Sequence, residues 1–462
     1  MREVQAGRSR MVVLVGTSST GKTRACWEAV QPLAERGWRL WHPFDPTRAA
    51  AALDDLHHVQ PRTVVWLNEA QHYLGDAQGE RIAAAVHALL TDPARMPVLV
   101  LGTLWPEYAR RYTALPDARK PDLHSRAREL LATGHTLHVP DRFDTQALRA
   151  AGDLAKGGDK LLADALTRVS DSGRMTQDLA GTRELLHAYQ HGSPEARALL
   201  EAAMDARRLG VGLHLPHTFL TDAATDYLND IDFQDLADDW AESAFAELSQ
   251  RVHGRQAPLQ RVQSRPARRP PGTRPPSATE AVPPAGSAFR LADYLEQHAR
   301  VTRRYLCPPA SFWHAAHLHL TDPDDLDNLT KAAAARHRLQ WAHHLRHRAA
   351  EAGGAGALTE LAEIRVEAGD SEGAEALLQQ AASASGIDAS LRLATMRAKA
   401  GDQDGAEALL QQAADAGHAN ALIRLADMRV EAGDQDGAEA LLQQAADAGH
   451  ANALIRLADM RV

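Results

Sequence analysis

At 462 residues the chain is too long for a single core and has room for about three domains of roughly 150 residues each. A formal net charge of −9 argues against a surface built to neutralise nucleic-acid phosphates, and 44% apolar with 24% charged residues is the balance of a protein with a sizeable core. With only Cys26 and Cys307 there is no disulfide framework or four-thiolate site, and no run reaches the ~18 apolar residues of a membrane span, so a cytoplasmic protein without membrane contact is expected.

From residue 11 to 140 short apolar runs alternate with helical patterns, which predicts an α/β fold around a parallel sheet. Strands are expected at 11–15, 38–44, 63–67, 98–103 and 136–139, and helices over 22–36, 46–57, 79–90 and 123–132. The turn between the first strand and the first helix reads Gly16-Thr17-Ser18-Ser19-Thr20-Gly21-Lys22-Thr23 and matches the phosphate-loop pattern G-x-x-x-x-G-K-[ST] in the context that pattern requires. Glycines at both ends let backbone N–H groups curl around a β-phosphate, and the helix that follows adds the positive end of its dipole. Lys22 is expected to reach the β- and γ-oxygens and Thr23 to offer its hydroxyl to magnesium, which makes ATP with Mg²⁺ the expected ligand.

The strand at 63–67 ends in Asn68-Glu69. In a P-loop NTPase this position carries a carboxylate for the magnesium shell, followed by a glutamate that orients water; here a neutral Asn68 takes the first place, as a metal-shell candidate, and Glu69 keeps the second. The strand at 98–103 ends in Thr103, the candidate sensor of the γ-phosphate, and Trp105-Pro106 follows as a capping turn. The extra strand at 38–44 between the two motifs resembles the additional-strand division of P-loop proteins.

Beyond residue 143 the pattern turns helical, with helices expected over 178–189 and 233–252, no convincing strand before 253, and a lid or winged-helix-like domain as the reading of 144–253. Residues 254–288 hold eight Pro and six Arg and almost no large apolar side chain, the composition of a disordered linker. A helical connector over 289–355 follows, including a helix at 332–352. His314, His317, His319, His343, His344 and His347 have spacings open to zinc, but lack cysteine or carboxylate companions, and helix positions explain them as well.

From residue 356 the sequence repeats with a 32-residue period marked by Gly369-Asp370, Gly401-Asp402 and Gly433-Asp434, and the stretch 401–430 recurs identically at 433–462. Leu422, Leu425 and Ala426 form one helical stripe and Ala438, Leu441, Leu442 and Ala445 another, so each unit is a helix pair that buries its apolar faces by stacking on neighbours. Leu425, Ala426, Gly433, Ala438, Leu442 and Ala445 fall where the tetratricopeptide repeat has its small and large residues, and the Ala-Ala-Asp-Ala-Gly-His segment ending at His418 and at His450 resembles Sel1-like repeats. The unit is shorter than in either family, and Arg429 stands where an aromatic is common. The unit 402–433 has six acidic and two basic residues, which suits a protein or peptide partner. Leu454 and Leu457 in the last helix are expected to lack cover unless a partner or further chain completes the stack.

The whole layout, phosphate loop, helical region and repeat array, resembles the STAND ATPases, signal-transduction NTPases of multidomain build. The resemblance implies a nucleotide-held closed state, a repeat array that senses a trigger, and opening or nucleotide-dependent homo-oligomerisation. Leu179-Ala180-Gly181-Thr182-Arg183-Glu184-Leu185-Leu186 lies where that family has a Gly-x-Pro helix near nucleotide, with Arg183 in place of proline. Two alternatives stand beside a slow ATPase switch: a nucleotide-dependent scaffold without turnover, favoured by Asn68, and an AAA-like ATPase acting on nucleic acid, favoured only by the arginine-rich linker.

Overall fold

The computed structural model describes residues 4, 6–42, 53, 55–75, 78–115, 122–169, 173–251, 256–262, 287–383, 387–415, 419–447 and 451–460. They form two compact units, residues 1–208 with 212–312 and residues 209–211 with 313–462.

The first unit opens on a five-stranded parallel sheet of β1 (Arg10–Val15), β2 (Arg39–Trp41), β3 (Thr63–Leu67), β4 (Val98–Leu104) and β5 (His135–His138), in the order β2-β3-β4-β1-β5. β3 and β4 are buried along their whole length, which is why they read as unbroken apolar runs; β5, at the edge, is exposed throughout. The alternation of side chains splits the core in two. Met11, Val13, Val65, Leu67, Val98 and Val100 pack with Ile82, Val86, Leu89 and Leu130 on one face, while Leu14, Val64, Trp66, Leu99 and Leu101 pack with Cys26, Val30 and Leu33 on the other. The additional strand expected at 38–44 lies at the sheet edge as β2; the strand inserted between β1 and β3 is β4. That insertion sets the C-terminal ends of β1, β4 and β3 side by side. The helix expected over 46–57 falls mostly outside the described residues, and two short helices, Gln71–Leu74 and Pro106–Thr113, escaped the sequence reading.

Two of the long helices expected after residue 143 are broken. The segment 178–189 is divided by Gly181 at φ 79°, which ends Met175–Leu179 and starts Thr182–His191. The segment 233–252 gives way to Asp230–Gln234 and Trp240–Leu248. Strands are present where none was expected: β6 (Leu215–Pro216), β7 (Leu259–Val262) and β8 (Ala288–Leu291) form an antiparallel sheet in the order β6-β8-β7. β7 lies inside the stretch read as a linker. Its single large buried residue, Leu259, is too sparse a pattern to stand out from the Pro- and Arg-rich surroundings, and residues 263–286 of that stretch lie outside the described residues. Phe289 of β8 stacks on Phe245 at 4.4 Å.

The helix Asp293–Thr302 follows β8 and is fixed by buried ion pairs. Arg207 Nε meets Glu296 Oε2 at 2.8 Å, and Arg303 grips Asp205 through Nε and Nη2 at 2.8 and 3.0 Å, with Asp205 also accepting the Tyr227 hydroxyl at 2.7 Å. Such bidentate pairs hold a geometry more firmly than an exposed pair does.

In the second unit the expected helix over 332–352 is interrupted at His337, φ 58°, between Pro323–Ala334 and Leu339–Glu351. Antiparallel helix pairs then repeat: Ala355–Glu367 with Ser371–Ser383, Ile387–Lys399 with Gln403–Asp415, and Ala419–Glu431 with Gln435–Asp447, before Ala451–Met460. The Gly-Asp signature has a physical cause. Gly369, Gly401 and Gly433 take φ of 81–92° to end one helix, and the next residue caps its successor, Asp370, Asp402 and Asp434 accepting the amides of Gly373, Gly405 and Gly437 at 2.8–3.0 Å. Arg429, out of place for an aromatic site, pairs with Glu407 of the preceding pair and lies 3.8 Å from Asp434. Leu457 is buried, contrary to the expectation, while Leu454 is 57% exposed. No helix among the described residues is long and apolar enough to cross a membrane.

Candidate functional site

The loop from Gly16 to Gly21 leaves the end of β1 and enters the helix Lys22–Ala34, for which Gly21 is the N-cap at φ 86°. At Gly16 a side chain would meet Val139 O at 3.0 Å and Thr20 Oγ1 at 3.1 Å, and at Gly21 a β-carbon would be strained, so both glycines are required by the backbone path. Thr20 donates to Thr17 O at 2.9 Å, and Ser19 sits at φ 61°, so the loop curls on itself. Thr17 donates to Asp141, just beyond β5.

Lys22 is buried and donates to Gly16 O at 2.8 Å and Thr17 O at 2.5 Å. Burial lowers its pKa, and the carboxylates of Glu69, Asp293 and Asp141 oppose that shift. Thr23 donates to Asn68 Oδ1 at 3.1 Å, and Thr103, buried at the end of β4, donates to the same oxygen at 3.2 Å while accepting the Glu69 amide at 2.7 Å. Thus Thr23, Asn68, Glu69 and Thr103, picked from three separate stretches of sequence, are joined by direct hydrogen bonds. Glu69 has φ 54°, and its Oε2 is buried, makes no hydrogen bond and lies 3.4 Å from His72 Nε2.

A cavity of about 770 Å³ is lined by Ser18, Ser19, Thr20, Gly21, Lys22, Thr23, Asn68, Glu69 and Thr103. That volume lies within the usual range for small-molecule pockets. Leu179 and Ala180, from the segment likened to a nucleotide-contacting helix, are on its wall, while Arg183 is exposed on the helix beyond Gly181. Sequence reasoning missed Asp159, Thr176, Gln256 and Asp293 on the wall, and Gln297, whose Oε1 accepts the Ser18 amide at 2.7 Å. Gln297 and Ser18 are 279 positions apart, and no local pattern signals such a contact. Asp293 pairs with Arg290 at 3.0 Å; burial and the neighbouring Glu69 carboxylate nevertheless raise its pKa to about 6. Cys26, on the helix after the loop, is pushed up to about 11 by burial and is no nucleophile.

The residues fit a polyphosphate with a hard cation. The loop lies at the start of a 13-residue helix, Lys22 adds an ammonium, and Thr23, Asn68 and Glu69 offer oxygen atoms, one of them, on Glu69, buried and without a hydrogen bond. The histidines make no comparable site: His317 and His344 lie 5.9 Å apart by ring centroid, and no group of three or more His, Cys, Asp or Glu among the described residues is gathered to hold a metal ion. No protein-family model matches the chain, and neither does any curated protein.

Proposed function

We propose that the chain is a STAND-like switch that binds ATP with Mg²⁺ in this cavity and hydrolyses it slowly, coupling the bound state to its helical repeats. The observation that carries the reading is the convergence of Lys22, Thr23, Asn68, Glu69 and Thr103 on one cavity at the end of three adjacent parallel strands. Lys22 and the loop amides would hold the β- and γ-phosphates, while Thr23 and Asn68 would face the magnesium shell, the ion neutralising phosphate charge when bound. Glu69 has the free oxygen needed to accept a proton from an attacking water, and Thr103 holds the Glu69 backbone. The repeats, of tetratricopeptide or Sel1-like kind, would take a protein or peptide partner.

Calorimetric titration with ATP, with and without Mg²⁺, tests the reading. Micromolar binding that disappears in Lys22→Ala, with the fold intact by circular dichroism, is expected; equal ATP affinity in parent and variant would overturn it. Mass measurement of the complex, with and without nucleotide, tests homo-oligomerisation. A second reading, a nucleotide-dependent scaffold without turnover, is favoured by the neutral Asn68. Single-turnover hydrolysis separates the two.

A further inference from the structure

An internal side chain already occupies part of the phosphate loop. Gln297 Oε1 accepts the Ser18 backbone amide at 2.7 Å, and Ser18 is in the middle of the loop whose residues 18–21 line the cavity. A backbone N–H makes one good hydrogen bond, so the carboxamide oxygen and a phosphate oxygen cannot both have it. Gln297 itself is not on the cavity wall, but one turn earlier on the same helix Asp293 is, and it acts on the charge of Lys22. Side chains four residues apart share a helix face, so the face of Asp293–Thr302 that carries Gln297 to the loop also carries the Asp293 carboxylate, which is paired with Arg290.

The helix is not free to drift away. Glu296 is bonded to Arg207 at 2.8 Å and to Arg300 at 2.9 Å, Arg300 also donates to the Tyr108 hydroxyl at 2.7 Å, and the Arg300 guanidinium lies 5.2 Å from the Tyr108 ring centre. Tyr108 belongs to the helix that follows β4, so the contact at Ser18 is backed by a second attachment to the α/β layer.

We infer that Gln297 is an internal ligand of the phosphate loop that competes with nucleotide for the Ser18 amide and thereby sets nucleotide affinity. The inference rests on the phosphate-loop reading. Occupancy of the loop by phosphate expels the carboxamide and loosens Asp293–Thr302, and expulsion lowers the apparent affinity by the fraction of molecules in which the loop is open.

The test is a titration of the full chain with ATP and Mg²⁺, and with pyrophosphate, in the parent and in Gln297→Ala, Gln297→Met and Gln297→Glu. Gln297 is only part-buried, so the variants are expected to fold. Loss of one competing hydrogen bond should tighten binding roughly three- to tenfold in the Ala and Met variants. Gln297→Glu, with a stronger acceptor and a charge that repels phosphate, should weaken it. Hydrogen exchange over 293–302 should quicken when nucleotide is added to the parent. Equal affinity in parent, Ala and Met variants, with unchanged exchange over 293–302, overturns the inference while leaving the nucleotide site standing. Absence of ATP binding in the parent and in every variant overturns the phosphate-loop reading and this inference with it.

Discussion

Thr103→Val isolates one atom of the candidate site. Valine keeps the volume of threonine at a position that is 1% exposed, so no cavity opens, and what is lost is a hydroxyl that accepts the Glu69 amide at 2.7 Å and donates to Asn68 Oδ1 at 3.2 Å. The Glu69 N–H is then left without that acceptor in a part-buried position, at a cost of about 1–3 kcal/mol. Glu69 also sits at φ 54°, a conformation that a non-glycine residue holds only when its surroundings enforce it, and this bond is one of the constraints. Hydrogen exchange of the Glu69 amide, followed in a peptide covering 66–74, should therefore quicken about tenfold to a hundredfold. ATP affinity should stay within threefold, because the Thr103 hydroxyl is engaged by the Glu69 amide and Asn68 Oδ1, whereas hydrolysis should fall at least tenfold as the carboxylate loses its fixed direction. Thr103→Ser, which keeps the hydroxyl, should restore both exchange protection and hydrolysis. Parental exchange and parental hydrolysis in the valine variant would refute the idea that this hydroxyl positions Glu69.

Asn68→Asp should lower the Mg²⁺ concentration needed for ATP binding or raise hydrolysis, and Glu69→Gln should reduce hydrolysis while sparing binding; a steady-state phosphate-release assay over a Mg²⁺ series reads both. The Asp293 carboxyl stands at about 6 in the folded chain, above its ordinary value of 3.8, so between roughly pH 4 and 6 the folded state binds more protons and stability falls as pH rises, by at most about 3 kcal/mol. Asp293→Asn removes that dependence, and its Tm relative to the parent should climb between pH 5 and pH 7.5; a constant difference would show that Asp293 does not titrate in this window. In the repeats, Leu410→Ala should cost about 2–5 kcal/mol because Leu410 is 3% exposed, while Arg429→Ala, which removes half-exposed ion pairs, should cost less than about 1 kcal/mol, as urea unfolding followed at 222 nm will show.

What the sequence made legible was local. The glycine-bounded turn at 16–21, the five parallel strands and the Gly-Asp repeat each depend on neighbours within a few positions, so their patterns are written contiguously. Asn68, Glu69 and Thr103 were found because each ends an apolar strand, and adjacency of the strand ends then joined them. Gly181 and His337 broke helices that periodicity alone made continuous, since a single residue of positive φ leaves the apolar spacing on either side intact. β7 was hidden by composition, because a strand of four residues at a sheet edge needs only one well-buried side chain. Asp293 and Gln297 were beyond reach for a different reason: Ser18 and Glu69, which place them at the site, lie more than 200 positions away, and neither residue differs in type from many others on exposed helix faces.

The substitution of asparagine at position 68 is better understood once Asp293 is counted. Asn68 Oδ1 accepts two hydroxyls, from Thr23 and Thr103, and a carboxylate oxygen would accept them equally well, so hydrogen bonding gives no reason to prefer the amide. Charge does. Glu69 and Asp293 already line the cavity with Lys22, and their mutual repulsion contributes to the raised pKa of Asp293. A further carboxylate at position 68, beside Glu69, would deepen that repulsion, and a bound divalent cation would relieve it. The neutral amide adds no charge to that cluster. Lys22 then faces Glu69 at the end of β3 and, next in strength, Asp293 on the helix after β8, so that the charge balance of the site depends in part on how firmly Asp293–Thr302 is held against the loop.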